Sequence, residues 1–372
     1  MKFLVMSDKC DGKKGLSSER LCEIIVNELK KAFPNGETVC EAAFYCDEKS
    51  ADKLTSLFGG KTVGGKVQDG NFFIKDATYG VSGEKAFISA ASTSGIADTM
   101  IKDPAFTTSY GFGQQIAQAL KLGKKEIILA LGGSVANDGG AGAAAALGAE
   151  FYDGEGEKFV PTGGTLGRIT KIDIEKMSAR IGGVNFTAIC DASNPLLGEN
   201  GCAYALSAER GAKTQAQREE LEKNMAAYAE KTSVFGVNAK EEFTGAAGGL
   251  GYFTKAFLKG KTVSCIEWFW EKREVEKKIR QADVVICGED EFDGKERDGR
   301  YCGKIVKEAL KTGKKVIVIC KKKKEGAETS GCEIYETEKE GTEGVKRESE
   351  IEFDYMKAVE RAIEDVKRKL NG

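Results

Sequence analysis

Apolar runs suited to buried strands recur along the chain and are separated by stretches with helical periodicity. The strand candidates lie at residues 2–6, 38–44, 126–131, 186–190, 283–287 and 315–320. Helical spacing of large apolar residues occupies residues 21–33, and a similar pattern over 353–370 closes the chain. Strands that alternate with helices predict an α/β protein with a mainly parallel sheet.

Two passages have weaker patterns. Residues 58–83 are rich in glycine, and we predict that the chain crosses between two domains near residues 66–76. The acidic passage over residues 325–350 has little apolar surface to bury, so we predict that it is irregular. A length of 372 residues favours two domains over a single core.

The stretch Glu126–Phe151 organises the chain, because a buried strand there enters an alanine-rich helix through a glycine-rich turn. The candidate ligand contacts in this turn are Gly132, Gly133, Ser134, Asn137 and Asp138. Glycine lets backbone amides approach a ligand, and amides at a helix N-terminus favour an anion such as phosphate or carboxylate. In the structural alternative, the glycines allow the helix to pack tightly and Asp138 is its N-cap.

Composition narrows the possible functions. The 56 basic and 58 acidic residues nearly balance, so no global field favours nucleic acid or an anionic membrane as a partner. No apolar run could span a bilayer and no signal peptide opens the chain, so we expect a cytoplasmic protein. The eleven cysteines form no CxxC pair, which argues against disulfides and structural zinc. The absence of histidine excludes Ser-His-Asp hydrolysis and His-ligated zinc.

Further polar residues follow a predicted strand or open a predicted helix. Asp8 and Lys14 lie between the first strand and the first helix, where they would bind substrate or phosphate, or form a solvated loop. Ser109 and Tyr110 open a later helix, and their hydroxyls and amides suit an anion or a sugar-acid hydroxyl. Simple helix capping would explain Ser109 equally well.

Three more segments offer candidate chemistry. Asp191, with Asn194 close behind, follows a strand and would accept a proton from a hydroxyl nucleophile or contact Mg²⁺; an Asx turn is the alternative. The segment over 245–249 is a second glycine-rich helix entry, suited to nucleotide binding or to close packing. Glu289 and Asp293 belong to a carboxylate cluster after a strand, which indicates a Mg²⁺ site or an acidic surface turn.

Several of these motifs match one family in the same order. GGSVANDGGAGAAAALGA resembles the GLGGSATNDGGAGML-ALGA signature of the type I glycerate kinases. SDKCDGKKGLSSE, TSYGFGQQIAQAL, CDASNPLLGENG and GAAGGLG are similar to further motifs of that family. The chain departs from the family pattern at residues 46–50, 209–212, 288–300 and 321–324. On this resemblance, which covers most of the chain, it is identified as a divergent member.

The resemblance implies two α/β domains. A flavodoxin-like doubly wound domain would be formed by residues 1–70 and 281–372, and a second α/β domain would be inserted over residues 71–280. The active site would lie in the cleft. The implied activity is ATP-dependent phosphorylation of D-glycerate to ADP and phosphoglycerate, with 2-phosphoglycerate favoured and Mg²⁺ as cofactor. The partner would be this small molecule, with no nucleic acid and no membrane, and a homodimer is compatible with it.

The family's motifs also imply roles for the candidate residues. Catalysis would use Asp191, Lys14 and Asp8, and Glu289 with Asp293 would hold Mg²⁺ through water. The nucleotide would contact Gly132, Gly133, Ser134, Asn137, Asp138, Gly245, Gly248 and Gly249, and the substrate would contact Ser109, Tyr110 and Asn194. Two alternatives stay open: an impaired relative that binds nucleotide or a sugar acid without turnover, and a kinase for another small hydroxy acid.

Overall fold

The computed structural model describes residues 1–10, 15–205, 207–296, 300–327, 330–337 and 347–371. The chain divides into two compact units. The first unit combines Met1–Phe44 with Phe269–Gly372, and the second unit is the continuous segment Tyr45–Trp268. Among the described residues, no helix is both long enough and apolar enough to cross a membrane.

The regular elements follow one another in strand–helix alternation. The strands are β1 (Lys2–Ser7), β2 (Glu37–Cys40), β3 (Lys61–Gln68), β4 (Ile74–Ser82), β5 (Lys85–Ser89), β6 (Glu126–Leu131), β7 (Glu150–Tyr152), β8 (Lys158–Phe159), β9 (Lys171–Asp173), β10 (Asn185–Cys190), β11 (Lys261–Ser264), β12 (Val284–Phe292), β13 (Lys315–Lys323) and β14 (Cys332–Glu336). The helices are α1 (Ser18–Ala32), α2 (Ser50–Leu57), α3 (Ala91–Ser94), α4 (Tyr110–Lys121), α5 (Ala141–Leu147), α6 (Glu175–Ile181), α7 (Ser207–Arg210), α8 (Gln215–Lys231), α9 (Ala246–Ala256), α10 (Cys265–Lys272), α11 (Val275–Gln281), α12 (Cys302–Lys311) and α13 (Glu348–Asn371).

The first unit contains a parallel sheet whose described strands lie in the order β14-β13-β12-β1-β2. Numbered along this unit alone, the order is 5-4-3-1-2, which is the flavodoxin-like arrangement. Its central strands are continuous apolar runs because both faces are covered: α1 and α13 pack on one face, and α11 and α12 lie against β1 and β12. The predicted α/β class with a flavodoxin-like domain is confirmed.

The second unit is built on a sheet with the strand order β11-β10-β6-β5-β4-β3 among its described residues. β5, β6, β10 and β11 are parallel, whereas β3 and β4 form an antiparallel extension. Helices α4, α5 and α9 contribute to its main apolar core. In parallel strands the carboxyl ends meet at one edge, and the register pairs Ser89 with Ala130 and Leu131 with Cys190. The loops that follow β5, β6 and β10 therefore leave from the same edge.

The chain organisation can be compared with three predictions. By the contacts within each unit, the chain enters the second unit after Phe44 and leaves it before Phe269, whereas the sequence predicts an inserted domain over residues 71–280. The predicted crossover over 66–76 is instead the β3–β4 hairpin, in which the glycine-rich strand β3 pairs with β4 along its length. The passage predicted to be irregular contains β14, which pairs in parallel with β13 and extends the sheet.

Two glycine-rich bends of the second unit pack backbone against backbone. The amide of Gly139 donates to the carbonyl of Gly248 at 3.0 Å, which joins the bend before α5 to the start of α9. Gly248 has φ of +73°, and a Cβ atom there would lie 1.8 Å from the Ala136 carbonyl oxygen. A Cβ atom on Gly140 would lie 2.3 Å from the Cβ atom of Phe253. Both bends are thus packed inside the unit, and their glycines are required for that packing.

We predict that Gly248→Ala destabilises the protein by about 3–5 kcal/mol, because the methyl group adds a backbone clash to the cost of a left-handed conformation. Gly156 is the matched control, since its φ is +82° and no atom lies within 4 Å of a Cβ built there. Gly156→Ala is expected to cost about 1–2 kcal/mol. Urea unfolding of the two variants measures the difference, and equal losses of stability would contradict the close packing of the bends.

Candidate active site

Asp191 lies at the carboxyl end of β10, the position where parallel α/β sheets commonly place chemistry. Its side chain is half-buried, and the Cys46 amide donates to its two carboxylate oxygens at 3.0 and 2.9 Å. Gly132 lies against this pair, because a Cβ atom there would come within 2.8 Å of Asp191 Oδ2 and 2.2 Å of the Cys46 carbonyl. Asp191 is thus an oriented carboxylate that solvent reaches in part.

The loop over 132–138 is tied to the loop that follows β5. The hydroxyls of Ser94 and Ser134 share a hydrogen bond of 2.9 Å, and the Val135 amide donates to the Ser94 carbonyl at 2.7 Å. Gly133 is the exposed residue of this loop and has φ of +62°. The structure therefore brings the predicted Gly132, Gly133 and Ser134 to the edge that carries Asp191, with Gly133 reachable from outside.

Asp138 is fully buried, and its carboxylate accepts hydrogen bonds from other residues of the protein. Its carboxylate accepts the amide of Ser109 at 2.7 Å, the hydroxyl of Ser109 at 2.9 Å, and the amides of Gly140 and Gly142 at 3.0 and 3.3 Å. These donors belong to the N-termini of α4 and α5. Burial raises the pKa of Asp138, and the hydrogen bonds from Ser109 and the two glycines oppose that shift. These hydrogen bonds agree with the helix-capping alternative, and contact of Asp138 with a nucleotide stays a prediction.

Ser109 belongs to the same buried hydrogen-bond network as Asp138. It is fully buried, and its hydroxyl, besides bonding Asp138, accepts the Ala143 amide at 3.0 Å. The direct contact between Ser109 and substrate that the sequence predicts stays a prediction. Through these hydrogen bonds Ser109 joins the N-terminus of α4 to that of α5.

Asn137 is a buried amide without a partner. Its side chain is 1% exposed, and neither the oxygen nor the nitrogen of the amide makes a hydrogen bond in the described part of the structure. Buried polar groups are paired in almost all native proteins, because an unpaired one costs about 1–3 kcal/mol. Asn137 therefore needs a polar partner such as a bound ligand or a water molecule.

Arg210 is a second buried polar group in contact with this loop. It is 4% exposed; its Nε donates to the Ser134 carbonyl at 3.1 Å, and its Nη1 donates to the carbonyls of Cys202 and Ala205 at 3.1 and 3.2 Å. In the described residues it has no ion-pair partner, and burial lowers its pKa. A buried cation without a counter-ion is costly, so Arg210 suits an anionic ligand.

The other predicted contacts of the second unit lie in two places. The Asn194 carbonyl accepts the Gly245 amide at 2.9 Å, and a Cβ atom on Gly245 would lie 2.0 Å from the Pro195 carbonyl. Gly245, Gly248 and Gly249 are all buried in packed bends. Tyr110 is half-buried and lines a pocket of about 430 Å³ together with Lys158 and Lys176, whose ammonium groups pair with Glu150.

In the first unit, Asp8 follows β1 and is fully buried. Its carboxylate accepts the Tyr301 amide at 3.0 Å and the Cys302 amide at 2.9 Å, so it caps the N-terminus of α12. This position next to the reversal of strand order is where a flavodoxin-like sheet offers an anion site, and the protein's own carboxylate takes the helix amides there. Lys14 lies outside the described residues.

Glu289 and Asp293, the predicted Mg²⁺ contacts, offer the oxygen ligands that this ion prefers. Glu289 is 5% exposed and Asp293 accepts the Lys295 amide at 3.1 Å. β12 continues beyond its predicted end, since Glu291 still pairs with Lys322, and Asp293 follows the last residue of the strand. Binding of Mg²⁺ through water by these two carboxylates stays a prediction.

Sequence reasoning missed the contacts made by Cys46 and Arg210. Cys46 lies 145 residues before Asp191, so no local pattern connects them. Arg210 lies within residues 209–212, where the chain departs from the family pattern, but its burial has no signature in a polar stretch of sequence. Both contacts arise from the meeting of distant loops at one sheet edge.

Comparison with known proteins agrees with this architecture. A sequence model of the glycerate kinase family matches residues 3–370. A glycerate kinase from Bacillus cereus is 36% identical over 299 residues, which cover 79% of this chain and 78% of the relative. The glycerate 2-kinase of Escherichia coli K12 is 32% identical over 325 residues, covering 86% and 84% of the two chains.

A solved structure gives the same result for the fold. The crystal structure of a protein assigned as glycerate kinase 2 in Salmonella typhimurium LT2 superposes with a TM-score of 0.79 over 100% of both chains, at 26% sequence identity. The family match extends over nearly the whole chain, and the relatives are similar over most of their own length. This chain therefore belongs to the glycerate kinase family, and its sequence-based interpretation as an enzyme of that family is confirmed.

Proposed function

We propose that this protein phosphorylates D-glycerate with ATP and releases ADP and 2-phosphoglycerate. The observation that carries the proposal is Asp191, a half-buried carboxylate at a parallel strand end whose orientation is fixed by the Cys46 amide. Membership of the glycerate kinase family supplies the substrate class, and relatives named glycerate kinase and glycerate 2-kinase support it.

Asp191 would act on the attacking hydroxyl of glycerate. One carboxylate oxygen accepts the hydroxyl proton while the substrate oxygen forms a bond to the γ-phosphorus of ATP, and the bond from that phosphorus to the bridging oxygen breaks to release ADP. Phosphoryl transfer depends on position and charge more than on covalent chemistry, so an oriented carboxylate is the group expected at the acceptor. Two hydrogen bonds from one amide restrict the carboxylate to a single orientation.

Anionic groups of the substrates would be bound by the loop over 132–138 and by Arg210. Gly133 is an exposed residue whose amide would suit a phosphate oxygen, and Arg210 supplies a positive charge in a buried setting where it is weakly screened. Asn137 would donate to or accept from the same ligand, which removes its unpaired state. Asp138 and Ser109 would support these groups by fixing α4 and α5.

The remaining candidate residues are proposed to support the site without accepting the proton of the substrate. Asn194, Gly245, Gly248 and Gly249 would shape the loops by close packing. Tyr110 would contact substrate only through the pocket that it lines. In the first unit, Asp8 would position α12, and Lys14 would balance phosphate charge.

Mg²⁺ is the proposed cofactor, and when bound to the phosphates it would neutralise their charge. Contacts to the water ligands of the ion are the role proposed for Glu289 and Asp293. All eleven cysteines are free, which supports a reducing compartment such as the cytoplasm. A homodimer stays a prediction, which size-exclusion chromatography of the purified protein would test.

We predict that the purified protein converts Mg-ATP and D-glycerate to ADP and 2-phosphoglycerate. Phosphorus-31 NMR of the reaction mixture identifies the phosphorylated hydroxyl, and a coupled assay measures ADP. ATP binding in a calorimeter without any ADP formation would contradict the enzyme and favour a non-catalytic binding protein. Turnover with another small hydroxy acid but not with glycerate would contradict the proposed substrate.

We predict that Asp191→Asn lowers kcat by about 10²–10⁴-fold, because the amide cannot accept the proton but can still accept the Cys46 hydrogen bond. Affinity for ATP should stay at its wild-type value. Asp173→Asn is the matched control, since Asp173 is also half-buried and also accepts one backbone amide, that of Glu175, but lies on the three-stranded sheet of β7–β9. Wild-type kcat in Asp191→Asn would contradict the role of Asp191.

A further inference from the structure

Two buried thiols adjoin the Asp191 carboxylate in the second unit. Cys46 and Cys265 are 3% and 2% exposed, and one ligand atom from each of Cys46, Asp191 and Cys265 lies within 4.8 Å of the other two. Among the described residues, this is the group of three side chains close enough to share one metal ion. The cluster has no counterpart in the phosphotransfer chemistry described above, which uses the carboxylate alone.

The distances suit a tetrahedral ion. Bonds of about 2.3 Å to sulfur at a tetrahedral angle put two ligand atoms about 3.8 Å apart. Side-chain rotations that move the ligand atoms by about 1 Å would therefore bring them to bonding distance of one ion. Gly132 provides the space, because any larger residue would meet the Cys46 carbonyl and Asp191 Oδ2. The half-buried Asp191 gives an ion a path from solvent, and a water or substrate oxygen would fill the fourth position.

We propose that Cys46, Cys265 and Asp191 form a binding site for Zn²⁺. Two thiolates and one carboxylate are a donor set that a borderline-soft cation binds well, whereas Mg²⁺ avoids sulfur. Binding releases the two thiol protons, one of which Cys46 now donates to the Ile189 carbonyl at 3.3 Å. The bound state carries two thiolates, one carboxylate and the ion.

Zinc binding would also regulate the enzyme. An ion held by Asp191 occupies the carboxylate that accepts the hydroxyl proton, so Zn²⁺ would inhibit phosphorylation; this consequence rests on the proposed function. Inhibition would not require ATP to leave, because the ligands are the Asp191 side chain and two thiols that the mechanism does not use.

The test is a titration of the reduced, metal-free full-length protein with Co²⁺, which reports thiolate ligands through its charge-transfer absorption, followed by displacement with Zn²⁺ and competition against a chromogenic chelator. We expect one tight equivalent in the wild type. Cys265→Ser and Cys46→Ser should each weaken Zn²⁺ binding by about 100-fold or more, since each removes one of three protein ligands.

Cys302→Ser is the matched control. Its thiol is also buried and lies 3.3 Å from the thiol of Cys287, but this pair is not part of a three-ligand group among the described residues. We expect wild-type Zn²⁺ affinity in Cys302→Ser. Equal binding by all variants, absence of the thiolate band, or isolation of a Cys46–Cys265 disulfide in place of a metal complex would overturn the proposal.

Measurements of enzyme activity test the proposed inhibition separately from metal binding. With Mg-ATP and D-glycerate, Zn²⁺ should inhibit the wild type and should not inhibit Cys265→Ser, which is expected to retain turnover because Cys265 lies outside the phosphotransfer groups. A protein that never turns over glycerate would refute the proposed function, while the Co²⁺ spectrum would still decide whether the metal site exists. Inhibition that persists in Cys265→Ser would overturn the regulatory part.

Discussion

The second unit depends on one buried carboxylate, that of Asp138. The N-termini of α4 and α5 both direct amides toward the interior, and these amides have no partners within their own helices. Asp138 accepts from both helix starts, with Ser109 as the shared residue, and thereby fixes where the preceding loop runs. Asp8 has the same relation to α12 in the first unit. In each case the protein's own anion occupies a position that looks like a ligand site in sequence.

Three aspartates differ in whether they stabilise the fold or serve the proposed chemistry. Asp8 and Asp138 are fully buried and accept helix amides, whereas Asp191 is half-buried and accepts the Cys46 amide. Gly133 is exposed, and within the described part of the chain Asn137 has no hydrogen-bond partner and Arg210 has no ion-pair partner. Unsatisfied polar groups are costly inside a protein, so these groups support the proposal of a polar, anionic ligand at this loop.

Sequence patterns predicted much of this fold for physical reasons. β1, β6 and β10 are apolar runs buried on both faces, and α1 has a clear apolar stripe. β3 was missed because its glycines and lysines lack an apolar alternation and its pairing with β4 supplies the stability. The sequence predicts Asp191 as a site residue because the end of the apolar run that forms β10 can be recognised in the sequence. The roles of Asp138 and Gly248 were not decidable, since a glycine-rich bend that packs and one that binds have the same sequence.

The most direct test of the account is the thermal unfolding of Asp138→Asn. Whichever oxygen becomes an NH₂ group, a donor then faces backbone amides of Ser109, Gly140 or Gly142, which should cost about 2 kcal/mol and lower Tm by roughly 5 °C. The folded fraction should retain nucleotide binding. An unchanged Tm combined with loss of turnover would contradict the account, because Asp138 would then act in the chemistry and not in the architecture.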